Sequence, residues 1–457
     1  MSLNRRIYTH AGGNMRYYLA LLMGKISIIA LKLLKKRGTT TPGTIALKIC
    51  PDILKILSSK ISKNIVAVLG TNGKTTTNNL LADTLELSGM RVACNRIGAN
   101  MMSGAATAML EKTTFFGRMT AEVATLEMDE AWAKHIFKET SPNVVIINNL
   151  FRDQLDRYGE IESTMQYLKD AISLVPDAVI IANGDDPLVY SVVSEFKNKK
   201  KFFGIKDEFT HSGSVAKEGK FCYRCGKPLK YEFYHFSQLG AYSCECGFSR
   251  PLLDFYAENI KVFPKVEFDV NNFGHLSLNG RGAYNIYNIL ASAAGAIECG
   301  ADFSAARKCA ENYTPQVGRM EEFVINGKPV CLILAKNPTG FNLSVDAVLE
   351  DTRKKNILIG INDYPQDGRD ISWLWDVNFD ALANNETILS CQTTGLRYAD
   401  MALRLKYSGM KETDISLFAD YKIAVDKALQ KDGEVLYILA NYTSLFEIQA
   451  YVKEKAK

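Results

Sequence analysis

The chain has 457 residues, 47% of them apolar and 23% charged, with a formal net charge of +5. These values exclude a disordered chain or one small domain and predict two or three globular domains. The charge is too small to argue for a nucleic-acid partner. With no apolar signal region followed by a small-residue cleavage site, the ten cysteines read as thiols or metal ligands of a cytoplasmic protein rather than as disulfides.

Residues 1–14 read as a loose leader, with Met15 as an alternative start. Residues 15–37, MRYYLALLMGKISIIALKLLKKR, predict a helix. Lys25 interrupts its apolar run, which argues against a membrane span. Lys32, Lys35, Lys36 and Arg37 make its end basic. Two roles stay open: packing on the domain behind it, or lying against an anionic membrane.

The stretch Asn64–Leu81, NIVAVLGTNGKTTTNNLL, is the one around which the central part of the chain is organised. An apolar strand, Ile65–Leu69, feeds the turn Gly70-Thr71-Asn72-Gly73, and a helix starts near Lys74. A glycine turn at a helix N-terminus presents unpaired N–H groups and the positive end of the helix dipole to a phosphate. Lys74 can reach the β/γ-phosphates, Thr75 can offer a hydroxyl to Mg²⁺, and Thr76 continues the motif. The loop is shorter than the strict Walker pattern, which would place a glycine where Val68 stands.

From residue 64 to about 205, strand and helix patterns alternate, which predicts a parallel sheet with ligands at the strand C-terminal ends. Strand candidates besides the first are Val123–Leu126, Val144–Ile147 and Ala178–Ala182. Polar clusters follow them: Glu127, Asp129 and Glu130; Asn148 and Asn149, then Asp153-Gln154-Leu155-Asp156-Arg157; and Asn183-Gly184-Asp185-Asp186. Glu127 is the candidate magnesium ligand, because a strand-end carboxylate beside a phosphate loop is placed to hold one. Asp185 and Asp186 fit a nucleotide role and a helix cap about equally.

Residues 206–260 break the alternation. Cys222 and Cys225 are followed by Cys244 and Cys246, each pair with a glycine beside it, and the aromatic segment between them reads as a β ribbon. Two close thiolate pairs predict a structural, four-coordinate Zn²⁺. His235 reads as a packing residue. Residues 279–300 form a small-residue helix after a glycine loop, with Asn285 and Asn288 on one face. Thr314 to Glu321 reads as an interdomain boundary. A second α/β alternation comes after it, with strands near 329–335, 356–361, 386–391, 414–418 and 434–440. It has no dinucleotide fingerprint.

Taken together, GTNGKTT, the strand-end glutamate, DQLDR, NGDDP, the Tyr284–Asn288 helix, GRME and the run Thr394 to Leu405 resemble the Mur ligase superfamily, in that family's order. The resemblance implies a Mur-ligase-type central P-loop domain with a parallel sheet (residues 46–317). It also implies a four-cysteine zinc-ribbon insertion in that domain, an N-terminal helical segment (1–45) and a C-terminal Rossmann-like α/β domain (318–457). It implies ATP and Mg²⁺, a carboxylate activated as an acyl phosphate, and an arginine, Arg319, reaching the nucleotide from the boundary. Gly70 through Thr76 with Asn183 and Asp185 would bind the nucleotide, and Thr75 with Glu127 the magnesium. Gln154 replaces the usual histidine of the DHLD motif. Lys169 lies one position out of register for the family's carbamylated lysine and receives no role. The 63 residues before Asn64, where the organising stretch begins, leave no room for a uridine-binding domain.

The cysteine insertion and the segment NDYPQDGRDISW resemble one branch. Its members are synthetase subunits of enzymes that amidate the α-carboxyl of D-glutamate in the lipid II stem peptide. For this chain that implies ammonia from a GatD-type glutaminase subunit, with Asp370 completing the partner's Cys-His pair in trans. The residues alone do not choose Asp370 over Asp367 or Asp376. A lipid-linked substrate would also bring the chain to the membrane surface. The competing readings are a folate-tail amino-acid ligase and a zinc-bearing scaffold with a relic nucleotide site.

Overall fold

A computed structural model describes residues 11–34, 38–96, 98–152, 161–208, 219–262, 265–280, 282–314 and 318–456. Lys35, Lys36 and Arg37, the DQLD segment and the Pro315–Val317 boundary lie outside these residues. The first helix spans Ala11–Leu33, so it begins ahead of Met15, where the periodicity placed its start.

The first sheet has nine strands, and β1 (Ile65–Leu69) lies inside it with every residue buried. Along the chain follow β2 (Val92–Cys94), β3 (Val123–Glu127), β4 (Val144–Ile147), β5 (Val179–Asn183) and β6 (Lys200–Ile205). Next come a separate ribbon, β7 (Lys230–Phe236) with β8 (Leu239–Ser243), and then β9 (Phe255–Lys261), β10 (Val266–Val270) and β11 (Gly274–Leu278). The spatial order is β11-β10-β9-β6-β5-β4-β1-β3-β2. Pairing is parallel from β2 to β9, and β10 and β11 extend the sheet antiparallel. The strand order reverses at β1, flanked by β3 and β4, and such a switch point opens a crevice at the strand C-termini.

The strands read as continuous apolar runs because helices cover both faces. On one face lie the N-terminal helices and those following β2, β3, β4 and β5. On the other lie Lys74–Leu87, Asn285–Glu298 and Phe303–Glu311. Strands β9 to β11 escape the sequence reading because their buried positions alternate with charged ones, as in Val266–Val270.

The second sheet comprises β12 (Arg319–Ile325), β13 (Lys328–Leu334), β14 (Lys355–Gly360), β15 (Ile388–Thr394), β16 (Ile415–Leu417) and β17 (Val435–Ala440). Its order is β12-β13-β17-β14-β15-β16, parallel except for the β12–β13 pair. The cysteine insertion joins β6 to β9, which are neighbours in the sheet, so it leaves and returns without disturbing the ladder.

Candidate active site

Gly70 through Thr76 follow the C-terminal end of β1 and open the helix Lys74–Leu87. Gly73 sits at φ 83°, and a Cβ there would lie 2.1 Å from Asn288 Oδ1. The turn therefore requires glycine twice over, for its backbone conformation and for the close approach of the Asn285–Glu298 helix. The strand-end asparagines shape the rest. Thr71 N donates to Asn149 O (2.9 Å) and Asn72 N donates to Asn149 Oδ1 (2.8 Å). Thr71 Oγ1 donates to Phe151 O at 3.0 Å, and Asn148 Nδ2 donates to Thr77 Oγ1 at 2.9 Å. The N–H groups that open the helix have no acceptor inside it, which leaves its positive end facing the crevice.

Lys74 curls back over the loop. Its Nζ donates to Gly70 O (2.6 Å) and pairs with Glu130 Oε1 (3.1 Å). The same Glu130 oxygen accepts from Gly70 N at 2.7 Å. Glu130 is thus an anion lodged at the phosphate loop and touching its lysine. The residue patterns grouped it with the strand-end acids without assigning it a role. The signal was the cap Asp129, whose Oδ1 accepts from Ala131 N and so sets Glu130 as the first residue of the next helix.

Glu127 ends β3, beside β1, and is buried, with one carboxylate oxygen lacking a hydrogen-bond partner among the described residues. Burial pushes its carboxyl above the usual range, while the Lys74 charge, the Thr75 hydroxyl and the Arg319 charge oppose that. Glu130 is pushed up by burial too, again opposed chiefly by Lys74. A buried orphaned carboxylate oxygen next to a hydroxyl is a donor set that fits Mg²⁺. Arg319 comes from the second sheet. It opens β12, and the ladder slips by one residue between Arg319 and Glu321. Met320 occupies the slip at φ 62°, a left-handed conformation unusual for methionine. A bulge of this kind re-aims the neighbouring side chain, here an arginine close enough to act on Glu127. Thr76, a little further into the helix, is buried near Tyr313.

Asn183 and Asp185 divide. Asn183 Oδ1 accepts from Asp185 N at 3.0 Å, and its Nδ2 is buried without a partner among the described residues. Asp185 departs from the nucleotide-binding expectation because both its carboxylate oxygens are engaged inside the protein. Arg250 pairs with one (2.6 Å), and Tyr287 Oη (2.7 Å) and Ile205 N (2.8 Å) donate to the other. Asp186 accepts from Leu150 N at 2.8 Å and caps the following helix. The cysteine ribbon leans on this same corner, with Gln238 Nε2 donating to Leu150 O (2.6 Å) and Gly240 N to Asp185 O (3.0 Å). These acids brace the loop carrying Asn149, and through it the phosphate loop. Lys169 pairs with Glu195 (2.5 Å), with no family role.

Cys222, Cys225, Cys244 and Cys246 converge, their Sγ atoms all within 4.8 Å of one another. The pairs Cys222–Cys246 and Cys225–Cys244 stand 3.6 and 3.5 Å apart. Sulfurs on a tetrahedral ion with bonds of about 2.3 Å would lie about 3.8 Å apart, so the set fits a closed four-thiolate metal site. Each half is a tight turn: Gly226 N donates to Cys222 O and Gly247 N to Cys244 O, with both glycines at positive φ. His235 is buried in the ribbon and pushed down to about 3 by burial and by Arg250.

In the C-terminal domain the three aspartates separate. Asp367 is buried and accepts from Thr443 N at 2.8 Å and from its hydroxyl. Asp376 lies 3.9 Å from Arg152 of the central domain. Asp370 is exposed, and it accepts from Ser372 N (2.8 Å) and Ser372 Oγ (3.0 Å), bonds that hold its carboxyl below the usual range.

The Mur ligase middle domain profile matches residues 68–296, and the MurT ligase C-terminal profile matches residues 334–445. A lipid II isoglutaminyl synthase (glutamine-hydrolyzing) subunit MurT of Staphylococcus aureus is 33% identical, covering 94% of this chain and 96% of its own. The subunit of the same description from Streptococcus pneumoniae is 34% identical over 95% and 97%. A pseudomurein peptide ligase type C from Methanothermus fervidus superposes with a TM-score of 0.68 at 23% identity, covering 88% of this chain and 80% of its own. MurF from Acinetobacter baumannii superposes at 0.65 with 17% identity, over 90% and 80%. At such identities these two structures establish the fold alone.

Proposed function

The chain belongs to the MurT family of ligase subunits, and on that premise we propose that it is the ATP-using half of a lipid II isoglutaminyl synthase. The reaction is amidation of the α-carboxyl of D-glutamate in the lipid-linked stem peptide to D-isoglutamine, a step of peptidoglycan biosynthesis. A GatD-type glutaminase subunit releases the ammonia. No helix among the described residues is long and apolar enough to cross a membrane, and the enzyme meets its lipid substrate as a peripheral protein.

The observation that carries this reading is the arrangement around Lys74: a glycine loop at a helix N-terminus, Glu127 with an orphaned oxygen beside Thr75, and Arg319 brought in from the second domain. ATP supplies the phosphoryl group that activates the carboxylate, and Mg²⁺ neutralises charge on it. The chain's own part is positioning and electrostatics. Gly70 to Thr76 hold the phosphates, with Lys74 leaving Glu130 to meet them. Thr75 and Glu127 hold the magnesium. Arg319 contributes only when the two domains stand together. Asn183 offers its Nδ2 to the nucleotide, whereas Asp185 serves as a brace. The four cysteines hold a structural Zn²⁺, closed to catalysis.

Asp370 is assigned to the partner's active site. It is ionised at neutral pH, exposed, and fixed by Ser372, as required of a carboxylate that orients a histidine across an interface. Neither Asp367 nor Asp376 offers that combination. The test is amidation of lipid II by the purified chain, with and without the glutaminase subunit, using glutamine or ammonium. Lys74→Ala should abolish product with either donor. Ligation of an amino acid in place of ammonia would overturn the reading.

A further inference from the structure

The first helix has two opposite apolar faces, and among the described residues only one of them has a neighbour. Tyr17, Ala20, Leu21, Gly24 and Ile28 face inward, with Gly24 seated against Leu110 and Ala46. On the outer side Met15, Leu19, Leu22, Ile26, Ile29 and Leu33 are exposed, from 46% at Leu22 to 79% at Leu33. At about 3.6 residues per turn these six form one straight stripe, roughly 30 Å long. An exposed apolar stripe of this length is a surface for another apolar phase.

A second exposed apolar element lies near the start of the helix. A loop closed by the Thr113–Met119 bridge carries Phe115 and Phe116 at its tip, and Phe116 is 90% exposed. The loop is pinned beside the start of the helix. Tyr17 Oη donates to Gly117 O at 3.4 Å, and Lys60 Nζ binds both Gly117 O (2.8 Å) and Tyr17 Oη (2.7 Å).

Charge identifies the occupant. The helix carries no acidic residue; Arg16 lies on one flank of the stripe and Lys25 and Lys32 on the other, while Arg118 follows the aromatic tip. The three- and four-residue spacing would also suit a second helix, but paired copies would bring the cations of both helices together, with Glu111 beside Lys25 as the acid at hand to meet them. An apolar stripe edged by cations, with aromatic side chains at one end, matches the headgroup–acyl boundary of an anionic bilayer.

We propose that the outer stripe of the Ala11–Leu33 helix and the Phe115–Phe116 tip form one docking face for anionic phospholipid, holding the helix in the plane of the membrane surface. This rests on the peripheral-membrane part of the reading above. The helix lies flat, and Arg16, Lys25, Lys32 and Arg118 meet lipid phosphates.

The test is sedimentation of the full-length chain with vesicles of phosphatidylcholine containing phosphatidylglycerol, against vesicles of phosphatidylcholine alone. Binding should require the anionic lipid and fall as salt rises. Phe116→Ser should weaken it about tenfold or more, and the pair Leu22→Glu with Ile26→Glu should abolish it. These side chains are exposed, so thermal melts should match the wild type, and amidation of detergent-solubilised lipid II should persist. Variants that sediment like the wild type, or a wild type that binds neither vesicle, would overturn the proposal. So would a dimer that the variants dissolve without any vesicle binding. Vesicle binding by a chain that never amidates lipid II would support this face and overturn the substrate assignment instead.

Discussion

Glu130→Gln isolates the anion at the phosphate loop. In the wild type this side chain is 5% exposed and its partner Lys74 11% exposed, at 3.1 Å. The substitution keeps the shape and one acceptor for Gly70 N, but takes from a buried ammonium the carboxylate it touches, leaving it Glu127 and Gly70 O. Removing one member of a buried pair costs about 3–5 kcal/mol, and the retained amide bond puts this case near 3. For a domain of this size that corresponds to a fall of roughly 6–12 °C in the melting transition. The decisive measurement is the same melt with Mg-ATP. A phosphate would supply the counter-charge that Lys74 lost, and in the variant it has no carboxylate to displace. Nucleotide should therefore stabilise the variant more than the wild type and close at least half the gap. An unchanged apo melt would mean that Glu130 is already neutral at that pH. A gap that Mg-ATP leaves open would remove Lys74 from the phosphate site.

Asp370→Asn should lower glutamine-driven amidation by roughly two orders of magnitude and leave ammonium-driven amidation near the wild-type rate; equal loss with both donors would move Asp370 to the synthetase site. Cys225→Ser should release the metal, read by zinc analysis, and reduce the yield of soluble protein more than the activity of what folds. Normal yield of metal-free protein would contradict a structural zinc. His235, depressed in the fold to about 3, contributes stability that is complete above its unfolded value near 6.5 and drains away as pH falls toward 3. That is up to about 5 kcal/mol, since one unit is about 1.4 kcal/mol. Denaturant titrations of His235→Gln between pH 7 and pH 4 should show a shallower loss than the wild type, and parallel curves would refute the assignment.

Much of the site is local and so was legible. Ile65–Leu69 is a strand because apolar β-branched residues run without a break, and Gly73 marks a turn that only glycine can make. The cysteine pairs carry their own spacing. Resemblance to a known superfamily supplied roles, such as that of Arg319, that no local pattern contains. What stayed hidden depends on tertiary placement. NGDDP reads equally as a nucleotide contact or a cap. Only the fold shows Asp185 engaged by Arg250, 65 positions on, and Tyr287, 102 positions on. Glu130 is one of three acids at and just after the end of β3, and its meeting with Lys74 follows from a helix capped by Asp129. Phe116 looks like an ordinary loop residue until the loop is seen beside the first helix.

The contacts that complete the site are weaker than those that build it. Within the central domain the loop is held by bonds of 2.6–2.9 Å from Asn149, Glu130 and Gly70. Across the domain boundary, Asn337 Nδ2 reaches Asn72 Oδ1 at 3.4 Å and Arg152 reaches Asp376 at 3.9 Å. Bonds of that length contribute little individually, and Leu343 of the C-terminal domain also packs on the central domain's apolar cluster. Arg319 stands on the C-terminal domain, while Thr75 and Glu127 stand on the central one. Separation of the two would withdraw the arginine's charge from the phosphate loop without disturbing the loop, Thr75 or Glu127. Asp370 belongs to the C-terminal domain as well. Such a separation would carry Asp370 with it, so on the proposed role of Asp370 the glutaminase contact would be tied to the state of the synthetase site. The bulge at Met320 accounts for the strained backbone at this boundary: it aims Arg319 at the neighbouring domain, which a regular ladder between β12 and β13 would not do.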